Sequence, residues 1–179
     1  GNDFTLTMNN TPPTATNGTV STNEDTAYTF AAADFHFSDT DTDASINTFT
    51  KVKITTLPTA GTLKLNSTTV TLDQEITVSD ITAGKLSFTG AQDAFGTAYT
   101  TFGFKVHDGA EYSASAYTET VNVNAVNDTA SISGTNTGEV TEDTQLSTNA
   151  TLVVTDVDNS GFQAQSKVSG TYGSFSLQQ

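Results

Sequence analysis

Val121-Asn122-Val123-Asn124 alternates apolar and polar residues and then runs through Ala125-Val126 into an Asn127-Asp128 pair. In an extended chain the two valines point to one side and the two asparagines to the other. The run therefore predicts a half-buried strand leading into a joint. The same period recurs upstream. Phe4, Leu6 and Met8 mark the end of a strand, and Asn9-Asn10-Thr11-Pro12-Pro13 a short extended linker. Tyr28, Phe30, Phe35 and Phe37 flank Ala31-Ala32-Ala33, a pattern that fits a bulged strand or two short ones. Residues 49–54 alternate and stop at Leu57-Pro58, and further short strands are predicted over 61–65, 69–72, 75–78 and 85–88. Phe102, Phe104 and Val106 make one face of a strand over 99–107, which Asp108-Gly109 turns into a return over 112–125. Beyond Asp128, strands are predicted at 130–133, 152–154 and 172–177. No segment sustains a helical period. The pattern predicts an all-β chain, a Greek-key β-sandwich of immunoglobulin-like size plus a partial second β-unit, with threonine filling the solvated positions.

The polar punctuation repeats. Asn127-Asp128-Thr129 lies 118 positions after Asn9-Asn10-Thr11, and Glu142-Asp143-Thr144 lies 118 after Glu24-Asp25-Thr26. Asp156-Val157-Asp158 lies 117 after Asp39-Thr40-Asp41, so one residue is lost between the marks. Three clusters in the same order at nearly one offset indicate a tandem repeat. The expected organisation is the tail of a preceding repeat or a linker over 1–9, a complete sandwich over 10–128, and an incomplete unit over 129–179. The last segment holds too little apolar surface to stand alone. It is expected to dock on its neighbour, borrow strands, or be truncated relative to a longer chain.

Charge narrows the function. Asp and Glu total 20 against 6 Lys, there is no Arg, and the net charge is −14. Such a chain repels phosphate backbones and anionic membranes, so nucleic-acid binding is not expected. Neither is membrane insertion, because no apolar run approaches the roughly 20 residues that span a bilayer. Cysteine is absent, which removes disulfides, zinc-thiolate sites and thiol nucleophiles together. Clustered carboxylates without Cys or His partners match a hard cation, calcium before magnesium. The matching marks of the repeat are all oxygen donors: Glu24 with its twin Glu142, Asn127 and Asp128, and Asp156 and Asp158 with Asp39, Asp41 and neighbouring Asp43. The competing reading of Asp39-Thr40-Asp41-Thr42-Asp43 is a solvated acidic turn, and Asp25 and Asp143 equally suit turn caps. An EF-hand is excluded, since Ala44 stands at its sixth position and Thr50 at its twelfth.

Catalysis is not expected. His36 and His107 lie in alternating strands without a third partner, which favours a structural role. No nucleophile elbow accompanies His107-Asp108. Trp is absent and no aromatic cleft is signalled, against glycoside cleavage by paired carboxylates.

Residues 10–128 resemble a bacterial cadherin-like repeat. The match lies in Asn23-Glu24-Asp25, in Phe35 to Asp41, in Leu57-Pro58 with Gly61-Thr62-Leu63, in Phe102 to Gly109, and in Val126-Asn127-Asp128. Residues 130–177 resemble the first part of a VCBS repeat, through Ala130 to Gly134, Gly138 to Asp143, Leu152 to Asp158 and Tyr172 to Leu177. Both families occur as arrays in large exported adhesins and in some secreted polysaccharide-degrading enzymes. The resemblance implies an immunoglobulin/cadherin-like sandwich with calcium at the joints between domains. One joint would use Glu24, Asn127 and Asp128 with Asp156 and Asp158. Another would use Asn9 and Asn10 with Asp39, Asp41 and Asp108, Asn10 standing where Asp128 carries an acid.

The first expectation is therefore a calcium-rigidified extender of a bacterial surface or secreted protein, serving cell adhesion or biofilm formation outside the cell. Its partners would be calcium, neighbouring repeats, and surface glycans or like repeats on another cell. The second is a carbohydrate- or partner-binding module of a secreted polysaccharide-active protein. An outward patch of Tyr or Phe would favour that alternative.

Overall fold

A computed structural model describes residues 10–41, 47–135, 137–145, 147–158, 165–171 and 173–177. The strand expected over 4–8 and the candidate ligands Asn9 and Asp43 lie outside the described residues. The chain divides into two compact units, Gly1–Val126 and Asn127–Gln179, and the division falls within the predicted joint.

The described strands of the first unit are, in chain order, β1 (Gly18–Asn23), β2 (Tyr28–Thr29), β3 (Lys51–Thr56), β4 (Thr62–Leu65), β5 (Thr68–Thr69), β6 (Glu75–Thr77), β7 (Leu86–Thr89), β8 (Gly96–His107) and β9 (Tyr117–Asn124). They form a five-stranded sheet in the order β1-β9-β8-β3-β6 and a four-stranded sheet in the order β2-β7-β4-β5. All pairings are antiparallel except β1 with β9, which run parallel from Gly18 opposite Glu119 to Asn23 opposite Asn124.

One core joins the two sheets. Phe102 and Phe104 of β8 are fully buried with Val52 and Ile54 of β3, Leu63 of β4 and Phe88 of β7. The ring of Phe102 meets Phe30 edge-on at 5.5 Å, and Phe104 meets Phe35 edge-on at 5.0 Å. Burying each such side chain contributes roughly 1.5–3 kcal/mol, and edge-on ring pairs add to that. Between the two phenylalanines, Gly103 is also buried: a Cβ there would meet the hydroxyls of Thr55 and Thr56 at 2.6 and 2.7 Å, where β3 bulges.

Three elements depart from the expected pattern. Strand β1 was not signalled, because its inward positions are Gly18, Val20 and Thr22, with a single large apolar residue among them. The strand expected over 28–37 ends at Thr29, and Ala32–Phe35 form a 3-10 turn, η1. Asp34 stabilises that turn by accepting from the Ala31 N–H at 2.8 Å, and His36 leaves it in the left-handed region at φ 46°. The strand expected over 75–78 stops at Thr77, whose hydroxyl accepts from the Asp80 N–H and starts the one-turn helix α1 (Val78–Thr82).

In the second unit, β10 (Ser131–Gly134) pairs antiparallel with β11 (Leu152–Thr155), and β12 (Gln165–Gly170) with β13 (Gly173–Leu177). The sequence carried no signal for β12. None of the described residues of this unit is buried, and Ile132, Val140, Val153 and Val157 are each more than half exposed.

Candidate metal centre

Three segments converge at the end of the first unit where the described chain begins. The strand-like pair Thr14 and Ser38 exchange N–H to carbonyl bonds of 2.8 Å, which carries the chain past Ser38 into Asp39-Thr40-Asp41. There Asp39 Oδ1 accepts from the Asp41 N–H at 3.0 Å, and Asp41 Oδ2 accepts from the Thr11 N–H at 2.7 Å. The side-chain amide of Asn10 donates to Asp108 Oδ2 at 3.2 Å and to Glu111 Oε1 at 2.7 Å. The linker, the Asp-x-Asp loop and the turn after β8 thus meet through Asn10, Asp39, Asp41 and Asp108. Glu111 joins them; its exposed position in a turn gave no signal in the sequence.

Asp108 is fully buried. Burial alone pushes its carboxyl up, but the N–H groups of Glu111 and Ala110 and the Asn10 amide outweigh it and hold the pKa below the ordinary 3.8. Two other oxygens here are buried without a hydrogen-bond partner, Asn10 Oδ1 and Asp39 Oδ2. An unsatisfied buried oxygen costs about 1–3 kcal/mol unless a donor, a water or a cation meets it. A cation among these carboxylates would favour the amide oxygen of Asn10 over the amide nitrogen that now faces them.

His107 stays out of this group. Its Nδ1 accepts from the Gly109 N–H at 2.9 Å, lies 3.0 Å from Thr50 Oγ1, and its ring packs edge-on against Tyr112. Burial lowers its pKa. The role is structural.

The second unit repeats the strand pair and the Asp-x-Asp loop, whereas the Asn127 amide, the match of Asn10, donates to the Asp128 carbonyl. Ser131 pairs with Thr155, Asp156 Oδ1 accepts from the Asp158 N–H at 3.1 Å, and Asp158 Oδ2 accepts from the Asp128 N–H at 2.5 Å. Each participant stands 117 positions after its counterpart in the first unit. This corrects the linker register of 118: Asp128 matches Thr11, and Asn127 matches Asn10, because hydrogen bonding to the Asp-x-Asp loop sets the alignment. The position that lacks an acid in the first unit is therefore Thr11.

Glu24 lies elsewhere in the first unit, after β1. It is 4% exposed; Oε1 accepts from the Val126 N–H at 2.6 Å and Oε2 is buried without a hydrogen-bond partner. Beside it Asp25 Oδ1 accepts from the Asp93 N–H at 3.2 Å, a neighbour that no repeat mark announced. Its twin Glu142 is exposed, on the turn that Thr141 and Gln145 close. The predicted set is thus divided: Glu24, Asp39, Asp41 and Asp108 belong to the first unit, and Asn127, Asp128, Glu142, Asp156 and Asp158 to the second. Within either unit alone, no three described acidic or imidazole groups bring ligand atoms within 4.8 Å of one another. The donors at the head of the first unit are all hard oxygens, which suits calcium in type, and their number falls short of the six to eight it takes.

Compared with known proteins, the chain matches no family model and no curated protein. Among the described residues, no helix is long and apolar enough to cross a membrane. Among the described residues, Phe95 is the one aromatic among the exposed large apolar side chains, at 51%.

Proposed function

We propose that the chain is a calcium-binding segment of tandem cadherin-like and VCBS-like repeats in an exported bacterial surface or secreted protein, where it acts as an extender in adhesion. The observation that carries this reading is the pair of unpartnered buried oxygens, Asn10 Oδ1 and Asp39 Oδ2, beside the Asp41 and Asp108 carboxylates. Asn10, Asp39, Asp41 and Asp108 would hold the ion in the first unit; in the second, Asn127, Asp156 and Asp158 correspond to Asn10, Asp39 and Asp41, and Asp128, which matches Thr11, adds an acid. Calcium there would neutralise crowded acids and immobilise the linker residue bonded to each Asp-x-Asp loop. The repeat then behaves as a stiff spacer rather than a string of hinged beads.

The test is a thermal melt in chelator and again at a few millimolar calcium, with magnesium as control. Sites of this class bind at about 10⁻⁴ to 10⁻³ M, so such a concentration stabilises by roughly 1–2 kcal/mol. A calcium-specific rise that disappears in the double variant Asp39→Asn, Asp41→Asn supports the reading. No shift, or the same shift with magnesium, overturns it.

A further inference from the structure

A carboxyl outside the candidate metal centre has no explanation in the reading above. Glu119 occupies an inward position of β9, in line with Val121 and Val123, and is fully buried. Neither of its oxygens has a hydrogen-bond partner. Its strand partner on β1 is Gly18, and the room for the carboxyl exists because that residue has no side chain: a Cβ on Gly18 would stand 2.0 Å from Glu119 Oε2. Two titratable groups face it. Asp34 comes from η1 and Tyr28 from β2, and they are bonded to each other, Tyr28 OH donating to Asp34 Oδ2 at 3.1 Å. From β8 the residue directly opposite is Phe102, which is apolar. None of the described ion pairs involves Glu119. Among the described residues, Glu119 belongs to no group of three acidic or imidazole side chains whose ligand atoms lie within 4.8 Å of one another.

We propose that Glu119 is a proton-operated latch on the edge strand β1: neutral, it packs beneath Gly18, and its ionisation opens β1 off β9. The strand is suited to this, because it lies at the edge of its sheet and pairs with β9 alone. Burial, and then the charge of Asp34, push the Glu119 pKa up from 4.5 to about 8. The closed form then holds a proton that the open form releases at any pH between those values. Each pH unit across that window raises the open population about tenfold, and the rise levels off above pH 8. The inference does not rest on the cation reading and is tested in chelator.

The experiment is residue-resolved amide hydrogen exchange of the whole chain from pH 5 to 9, normalised for intrinsic exchange, for the wild type and Glu119→Gln. Protection of the β1 amides is expected to fall about tenfold per pH unit up to about pH 8 in the wild type and to stay level in the variant, while β3 and β8 keep theirs. Equal pH profiles in the two proteins overturn the proposal. So does a loss shared by every strand, which would mean global unfolding rather than release of one edge. Should the variant fail to fold, the carbon-13 shift of the Glu119 carboxyl in the wild type decides: titration near pH 8 supports the latch, and titration near 4.5 overturns it.

Discussion

The backbone N–H of Thr11 donates to Asp41 Oδ2 at 2.7 Å, and 117 residues later the N–H of Asp128 donates to Asp158 Oδ2 in the same way. The bond needs an acceptor oxygen, whereas a cation needs the charge. Replacing Asp41 with Asn or with Ala separates the two. Asp41→Asn keeps an acceptor and is expected to leave the melting temperature in chelator nearly unchanged while abolishing any rise with calcium. Asp41→Ala removes the acceptor too, at about 1 kcal/mol, read as a fall of roughly 3–6 °C in chelator.

Gly18 and Glu119 compete for one volume. Gly18→Ala places a methyl group 2.0 Å from Glu119 Oε2 and 2.9 Å from the Asp34 carbonyl oxygen, and is expected to cost about 3 kcal/mol by urea denaturation. On a Glu119→Ala background the first clash disappears and the second remains, so the cost should fall to about 1 kcal/mol. A cost that is the same on both backgrounds would show that the carboxyl does not fill that space.

Asp108 contributes to the acid sensitivity of the first unit. Its folded pKa lies below 3.8, so its ionised form contributes stability that is complete above 3.8 and is lost as pH falls through the folded value. Asp108→Asn should be less stable than the wild type by about 1–2 kcal/mol at pH 6, having lost charge-assisted bonds from two backbone N–H groups. The gap between the two stability curves should close progressively below pH 3.8.

Glu24 fixes the chain as it leaves β9. Glu24→Ala orphans the Val126 N–H and should make the peptide bonds around Val126 the first site of limited proteolysis, with cleavage several-fold faster than in the wild type. Glu24→Gln keeps an acceptor and should digest at the wild-type rate.

Strands were legible wherever large apolar residues alternate, as Phe102, Phe104 and Val106 do on β8. Strand β1 was hidden because burial at Gly18 and Thr22 comes from what lies over them, not from their own hydrophobicity. The turn η1 was hidden for a related reason: Phe35 fits a strand pattern equally well, and the carboxylate of Asp34 decides locally for a tight turn. At the candidate metal centre the repeat made the Asp-x-Asp loops and the linker legible. Their register to one residue was not, because only hydrogen bonding distinguishes Asn10 from Thr11 as the match for an acid. Asp93 and Glu111 reach the acids of their regions through folding alone. Glu119 differs from these. Counting by twos from Val121 places it inward, so its burial was legible in the strand pattern, but the glycine that makes room for it comes from the other end of the unit.

The parallel pairing of β1 with β9 has a mechanical consequence. The chain enters the first unit ahead of β1 and leaves it after β9, so tension on the two ends pulls these strands in opposite directions along their shared axis. The register from Gly18–Glu119 to Asn23–Asn124 is then loaded in shear, with all its hydrogen bonds strained together rather than peeled one at a time. A domain built this way yields only at forces that break the whole ladder at once. The same strand that a proton holds in place is the one that would carry the load.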